Sequence, residues 1–184
     1  QNEKSHKSLT TTAYYLAFIT LGLAVGATGP VLPTLAEHTG SALDAISIIF
    51  ITNSLGYMLG TWLSGRAYDR LPGHRLLAAS LVFASVMLFC LPILSVLWVL
   101  AALMAVLGFF QGSVDVGANT LLIWLHGSKV GPFMNMLHFT FGFGAFVAPI
   151  VVAQITGLSG DIQWAYWLFA IVTLPIAVWI WALP

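Results

Sequence analysis

The chain has 184 residues, of which 59% are hydrophobic and only 7% charged. A soluble domain carries about a quarter charged residues, so water is excluded as the main solvent. Net charge is zero and there is no basic patch, which argues against a nucleic-acid partner. The single cysteine, Cys90, has no mate for a disulfide within the chain, and no motif calls for a cofactor or a metal.

About 20 apolar residues cross the hydrocarbon core as a helix. By that measure six spans run over roughly 12–36, 44–66, 76–94, 97–124, 132–156 and 166–184. The expected fold class is an all-α membrane protein, with a cytoplasmic tail over 1–11 and a six-helix transmembrane domain over 12–184. Long unbroken apolar runs do not match the alternating pattern of a membrane barrel. The first span is longer than a signal-peptide core and lacks a strongly basic leader, so it reads as retained. Seven tryptophans fit interfacial anchoring, with Trp98, Trp124, Trp164 and Trp167 near span ends. Trp62, farther inside the second span, is a candidate substrate contact.

Orientation follows from the basic residues. Lys4, Lys7, Arg66, Arg70, Arg75 and Lys129 all fall on the side that an even number of spans shares with both termini. The opposite loops hold Glu37, Asp44 and Asp161 but no lysine or arginine. Positive residues stay inside. Both termini are therefore expected in the cytoplasm, and the expected location is the bacterial inner (cell) membrane.

The fourth span contains GFFQGSVDVGANTLLIW, in which Gln111, Asp115 and Asn119 sit among apolar residues. A carboxylate at that depth costs at least ~2.5–3.5 kcal/mol to insert, so something must offset it. Gly108, Gln111, Gly112, Asp115 and Asn119 follow i, i+3, i+4 spacing and share one stripe. Asn135, His138, Gly142, Ala145 and Pro149 do the same in the fifth span. At about 1.5 Å per residue, Asp115 lies ~6 Å and His138 ~9 Å from their helix midpoints, toward the same membrane face. The two side chains are expected to share a cavity. Asp, Asn, Gln and His match the polar groups of a small solute as donors and acceptors. Asp115, Asn119, Gln111, His138 and Asn53 are therefore the substrate-binding candidates. A desolvated carboxylate or imidazole can exchange a proton with solute, which makes Asp115 and His138 the proton-coupling candidates. The plain alternative is interhelical hydrogen bonding by Asp115, Asn119 and Gln111, and a helix-capping role for Asn135.

A weak internal symmetry is also present. Gly22, Gly26 and Gly29 in the first span parallel Gly108 and Gly112 in the fourth. Gly56-x-x-x-Gly60 in the second parallels Gly142-x-Gly144 in the fifth, and close packing is the simplest use of such glycines.

The loop Gly65-Arg-Ala-Tyr-Asp69-Arg70-Leu-Pro-Gly73-His-Arg75 resembles the signature loop of the major facilitator superfamily. That resemblance implies half of a twelve-helix transporter, built as a three-plus-three inverted repeat. It also implies a conformational latch comprising Gly65, Asp69, Arg70, Gly73 and Arg75, with Asp69 as the latching carboxylate. Pro72 adds one residue to the family's spacing. Asp115-Val-Gly-Ala-Asn119 and Asn135-Met-Leu-His138 are similar to segments of fucose and glucose permease-like members. The acid those members carry in the first span is missing from Thr28-Gly29-Pro30-Val31-Leu32-Pro33.

The resulting expectation is secondary active transport of a small polar solute, sugar-like as the resemblance implies, by alternating access, with proton or sodium coupling. The expected partners are the lipid bilayer, the solute, and a second six-helix half, a homodimer mate or another membrane subunit. A non-transporting assembly subunit that keeps a half-transporter fold is the rival reading. An intramembrane serine protease is disfavoured, because no histidine in the sixth span can serve Ser113. A water or glycerol channel lacks its paired Asn-Pro-Ala segments. Gln1 at the start and Pro184 directly after the sixth span suggest a truncated chain, a half-size protein or a subunit.

Overall fold

In the computed structural model, residues 2–183 are described, with side chains from residue 6 onward. Lys4, counted above among the basic residues, lies outside the described side chains. Eight α-helices follow one another among the described residues: α1 (Asn2–Ala27), α2 (Leu32–Thr39), α3 (Leu43–Ile46), α4 (Ile48–Tyr68), α5 (Gly73–Cys90), α6 (Leu97–His126), α7 (Gly131–Ser159) and α8 (Gln163–Trp181). Six helical stretches are long and apolar enough to span a bilayer: His6–Ala27, Leu43–Tyr68, Gly73–Ile93, Leu97–Lys129, Gly131–Ser159 and Gln163–Trp181. Both termini therefore emerge at one end of the bundle.

The expected and observed spans agree within a few residues except the first. Instead of running over 12–36, α1 ends at Ala27 and α2 restarts at Leu32. Pro30 has no N–H to donate and disfavours helix at Gly29 before it. Pro33 sits in the first turn of α2, where a missing N–H costs nothing. Residues 2–11 are helical and continuous with the first span.

Lipid tails are as apolar as leucine, so close packing rather than hydrophobic burial must join these helices. Three pairings dominate: α4 with α6, α1 with α7, and α5 with α8. Exchanging spans one to three for spans four to six turns the first pairing into the second and leaves the third unchanged. That is the signature of the three-plus-three repeat.

Glycines make the first two pairings possible. A methyl group on Gly56 or Gly60 would occupy the space of the Ala105 or Phe109 carbonyl on α6. In return, one on Gly108 or Gly112 would meet the Asn53 or Tyr57 carbonyl on α4. In the other pair, Gly22 and Gly26 face the backbone of Phe141 and Ala145, and Gly144 faces Ile19. Pro149 withholds the N–H that Ala145 would otherwise accept within α7, and the freed carbonyl points at Gly26. Gly29 and Gly142 meet nothing within 4 Å and take no part in these seams.

Two apolar cores result. One, around Tyr14, Phe18, Tyr68, Leu77 and Ile180, lies toward the termini. The other, around Val31, Leu35, Leu91, Leu100 and Tyr166, lies toward the opposite end. Buried polar residues tie the helices where the cores meet. Ser80 and Ser113 hydroxyls are 2.8 Å apart, and Ser85 donates to the Ala170 carbonyl at 2.8 Å.

Tryptophans mark the outer levels. Trp98 and Trp124 are exposed near the two ends of α6. Their separation along the helix, about 39 Å at 1.5 Å per residue, approaches the ~40–45 Å between headgroup regions. Trp167, near the start of α8, stacks on Phe89 at 4.8 Å and donates to its carbonyl at 3.1 Å.

Candidate functional site

Polar residues recur on α4 at 53, 57 and 61, along the edge of the glycine seam with α6. This i, i+4, i+8 spacing carries Asn53, Tyr57 and Thr61 down one side of the helix. With Ser54, Met58 and Trp62 they line a groove of about 750 Å³, completed by Val25 of α1 and Phe141 of α7. That volume suits a small solute. The Trp62 ring is 59% exposed and covered on one side by the Arg66 guanidinium, 4.6 Å from its centroid.

Behind this wall, α6 supplies the polar side chains singled out from the sequence. Asn53 donates from Nδ2 to Gln111 Oε1 at 3.0 Å and to the Met104 carbonyl at 3.2 Å. Gln111 is only 3% exposed and borders a tight interior gap with Thr20 and Thr173, so it fixes Asn53 from behind. One turn on, Asn119 donates from Nδ2 to Asp115 Oδ1 at 3.0 Å and to the Asp115 carbonyl at 2.9 Å. The Tyr57 hydroxyl lies against the Asp115 carboxylate. Gly112 lets Tyr57 approach α6 closely enough for that contact, since its missing side chain leaves room for the Tyr57 backbone.

The expected stripe on α6 thus exists and faces α4. Asp115, half-buried, is the one acidic residue in mid-span among the described residues, since Asp44 sits at the very start of the second span. It accepts from Asn119 on its own helix and lies beside the Tyr57 hydroxyl across the seam. Such a carboxylate keeps acceptor sites for a hydroxyl or a cation.

His138 stands apart from this group. It is exposed on α7, with its ring edge-on to Phe18 at 6.0 Å. Phe18 in turn packs on Phe141, which lines the groove. His138 approaches the groove through two aromatic rings, and Asp115 approaches it through Tyr57. Asn135 does not cap α7, because it lies inside the helix, which begins at Gly131.

The loop between α4 and α5 is a tight turn. Asp69 closes α4 with its side chain exposed, and the Arg70 and Leu71 amides return to the Ala67 carbonyl at 3.1 and 2.9 Å. The added Pro72 caps the start of α5. Gly73 packs on the Leu121 side chain, whereas Gly65 faces open space. Arg70 and Arg75 are exposed at the same end of the bundle.

Tyr57, Ser54 and Thr61 were missed in the sequence. Their signal was available as the helical repeat from Asn53, but tyrosine and threonine are unremarkable in an apolar helix.

The profile of the Major Facilitator Superfamily matches residues 14–184. Among curated proteins, the chain is 37% identical over 145 residues to mouse sodium-dependent glucose transporter 1A, covering 79% of this chain and 34% of that protein. It is 33% identical over 147 residues to human sodium-dependent glucose transporter 1, covering 80% and 28%. Human major facilitator superfamily domain-containing protein 4A is 35% identical over 148 residues, covering 77% and 28%. The chain spans about a third of the length of these relatives. With six spans paired as an inverted repeat and a family match over nearly its whole length, the chain belongs to the Major Facilitator Superfamily.

Proposed function

We propose that this chain is one six-helix half of a secondary transporter that moves a sugar-like solute by alternating access. The observation that carries the reading is the polar face of α4, Asn53, Ser54, Tyr57 and Thr61, opening into a groove of about 750 Å³. Hydroxyls and amides in an apolar wall suit a polyhydroxylated ligand, and the Trp62 face suits the C–H side of a sugar ring. Asp115 and Asn119 support the wall through Tyr57 and supply the charge for coupling. The printed names of the relatives, sodium-dependent glucose transporters, favour glucose-like solute and sodium as the first choices to test.

The groove is open rather than enclosed, so a second six-helix unit would cover it in the working transporter. Gly56 and Gly60 are not contacts for that unit, because α6 already occupies them. Both termini face the cytoplasm in this reading, which the one-sided placement of Lys7, Arg66, Arg70, Arg75 and Lys129 supports. The loop residues Gly65, Asp69, Arg70, Gly73 and Arg75 then form the latch on that side.

Uptake of labelled glucose into proteoliposomes tests this reading. The liposomes hold the chain together with a second copy or the other half of a relative. Accumulation under an inward sodium gradient, and less without it, is the expected result. Accumulation driven equally by a proton gradient alone would move the coupling to Asp115 protonation. Absence of uptake under every gradient would favour the assembly-subunit role.

A further inference from the structure

A second cavity lies at the end of the bundle that carries both termini, and it shares no lining residue with the groove. It measures about 410 Å³ and sits among the first turns of α1, the start of α5 and the last turns of α6. Lys7, His6 and His74 supply nitrogen donors to its wall, and Thr10 and Tyr14 supply hydroxyls. No acidic side chain among the described residues lines it. Its remaining wall is apolar, formed by Leu121, Leu125 and Trp124.

The basic wall is anchored by neighbouring helices. His74 Nε2 lies 2.6 Å from the hydroxyl of Tyr14, and the two rings stack with centroids 6.0 Å apart. Tyr14 is itself buried, so His74 is tied to a fixed point. On the other side of α1, the Thr11 hydroxyl is 2.8 Å from His126 Nε2 and donates to the Lys7 carbonyl at 2.8 Å. The turn that carries Lys7 is thereby attached to α6, while the next turn is attached to α5.

Depth and chemistry select the ligand. The cavity lies where the first span begins and the fourth ends, beside the exposed Trp124, which is the level of lipid phosphates. A free phosphate would use the nitrogen and hydroxyl donors but leave the apolar wall bare. A phospholipid uses both. We infer that this cavity binds an anionic phospholipid, with its phosphate on Lys7, His6 and His74 and the start of its acyl chains on Leu121, Leu125 and Trp124.

Native mass spectrometry of the detergent-purified protein, titrated with phosphatidylglycerol or phosphatidylcholine, tests the assignment. Phosphatidylglycerol should be retained in preference. Lys7→Gln should weaken its binding roughly fivefold, the factor expected for one basic residue at an anionic surface. Lys7→Arg should preserve binding. Lys129→Gln, a loss of equal charge outside the cavity, should leave it unchanged. Lys7 is exposed, so its replacement does not threaten folding. Equal retention of the two lipids, or equal effects of Lys7→Gln and Lys129→Gln, would overturn the site in favour of diffuse surface attraction. Displacement of phosphatidylglycerol by inorganic phosphate at matching concentration would overturn the lipid and leave a free-phosphate site.

Discussion

The α4–α6 seam and the α1–α7 seam are built by the same device and loaded with different chemistry. In each, glycines on one helix admit the backbone carbonyls of the other. The α4–α6 seam carries a bond between two side chains, from Asn53 to Gln111, and sets the Tyr57 hydroxyl beside Asp115. Across the α1–α7 seam the one side-chain bond among the described residues runs from the Tyr15 hydroxyl to the Phe133 carbonyl at 3.2 Å. That seam also carries aromatic contacts among Phe18, Phe141 and His138. Helix association here depends on the absence of side chains at a few positions, so the remaining positions are free to serve a solute. That separation lets the two repeats keep one backbone plan while only one holds a charged residue in mid-span.

The largest effect expected from breaking a seam is loss of the fold. Leucine at Gly56 or Gly60 would have to displace an α6 carbonyl, which no side-chain rotation can relieve. Overpacking usually costs about 1–3 kcal/mol, and a backbone obstacle should exceed that range. Gly60→Leu and Gly144→Leu should each abolish the monodisperse peak in detergent size exclusion. A normal peak for Gly144→Leu beside a lost one for Gly60→Leu would show that the two seams are not equivalent.

Next in size is a functional effect confined to the loaded seam. Asp115→Asn preserves shape and the bond from Asn119 to the main-chain carbonyl of residue 115, but removes the charge. Gradient-driven uptake should fall at least about tenfold, the equivalent of ~1.4 kcal/mol, with thermal stability retained or raised. Stability should not suffer because a carboxylate in a span is itself costly. Full uptake by Asp115→Asn, together with destabilisation by Asp115→Leu, would make Asp115 an interhelical tie and not a coupling group.

A smaller change follows from trimming Asn53. The alanine variant loses bonds to Gln111 and to the Met104 carbonyl, leaving Gln111 buried without that donor. Side-chain hydrogen bonds between membrane helices average ~0.6 kcal/mol and reach ~1.7. Asn53→Ala should therefore lower thermal stability modestly and weaken solute affinity in the same variant. An unchanged melting temperature and affinity would remove Asn53 from both roles.

What the sequence reveals divides along the same line. The six spans are legible because twenty apolar residues have one outcome in lipid. The exception, the early end of α1, comes from Pro30 and Pro33 inside an apolar run. The α6 stripe is legible because Gln111, Asp115 and Asn119 are rare residues at helical spacing. Its counterpart on α4 shows only Asn53 clearly, since Tyr57 and Thr61 blend into the span. A common cavity for Asp115 and His138 depends on how far α7 is turned relative to α6, and no residue pattern within one helix sets that angle. The glycines are the hardest to read. Gly26 and Gly29 look alike in sequence, as do Gly144 and Gly142, yet only one of each pair touches a neighbour.

That last contrast gives the smallest expected effect. Residues 142 and 144 are two steps apart on α7, a rotation of about 200° at 3.6 residues per turn. Gly144 therefore faces the Ile19 carbonyl and the Leu23 amide, while Gly142 points into open space. A methyl group fits at Gly142 without moving any atom of this chain. Alanine also favours helix over glycine, by ~0.8–1 kcal/mol in aqueous hosts. Gly142→Ala should leave the melting temperature unchanged or slightly raised, whereas Gly144→Ala should lower it. Uptake measured beside stability makes the comparison informative even where stability does not move. If Gly142→Ala keeps its melting temperature and loses uptake, the space opposite Gly142 is filled during transport by the second six-helix unit. If it keeps both, the glycine on that face of α7 is dispensable, and the α1–α7 seam carries the fold through Gly22, Gly26 and Gly144 alone.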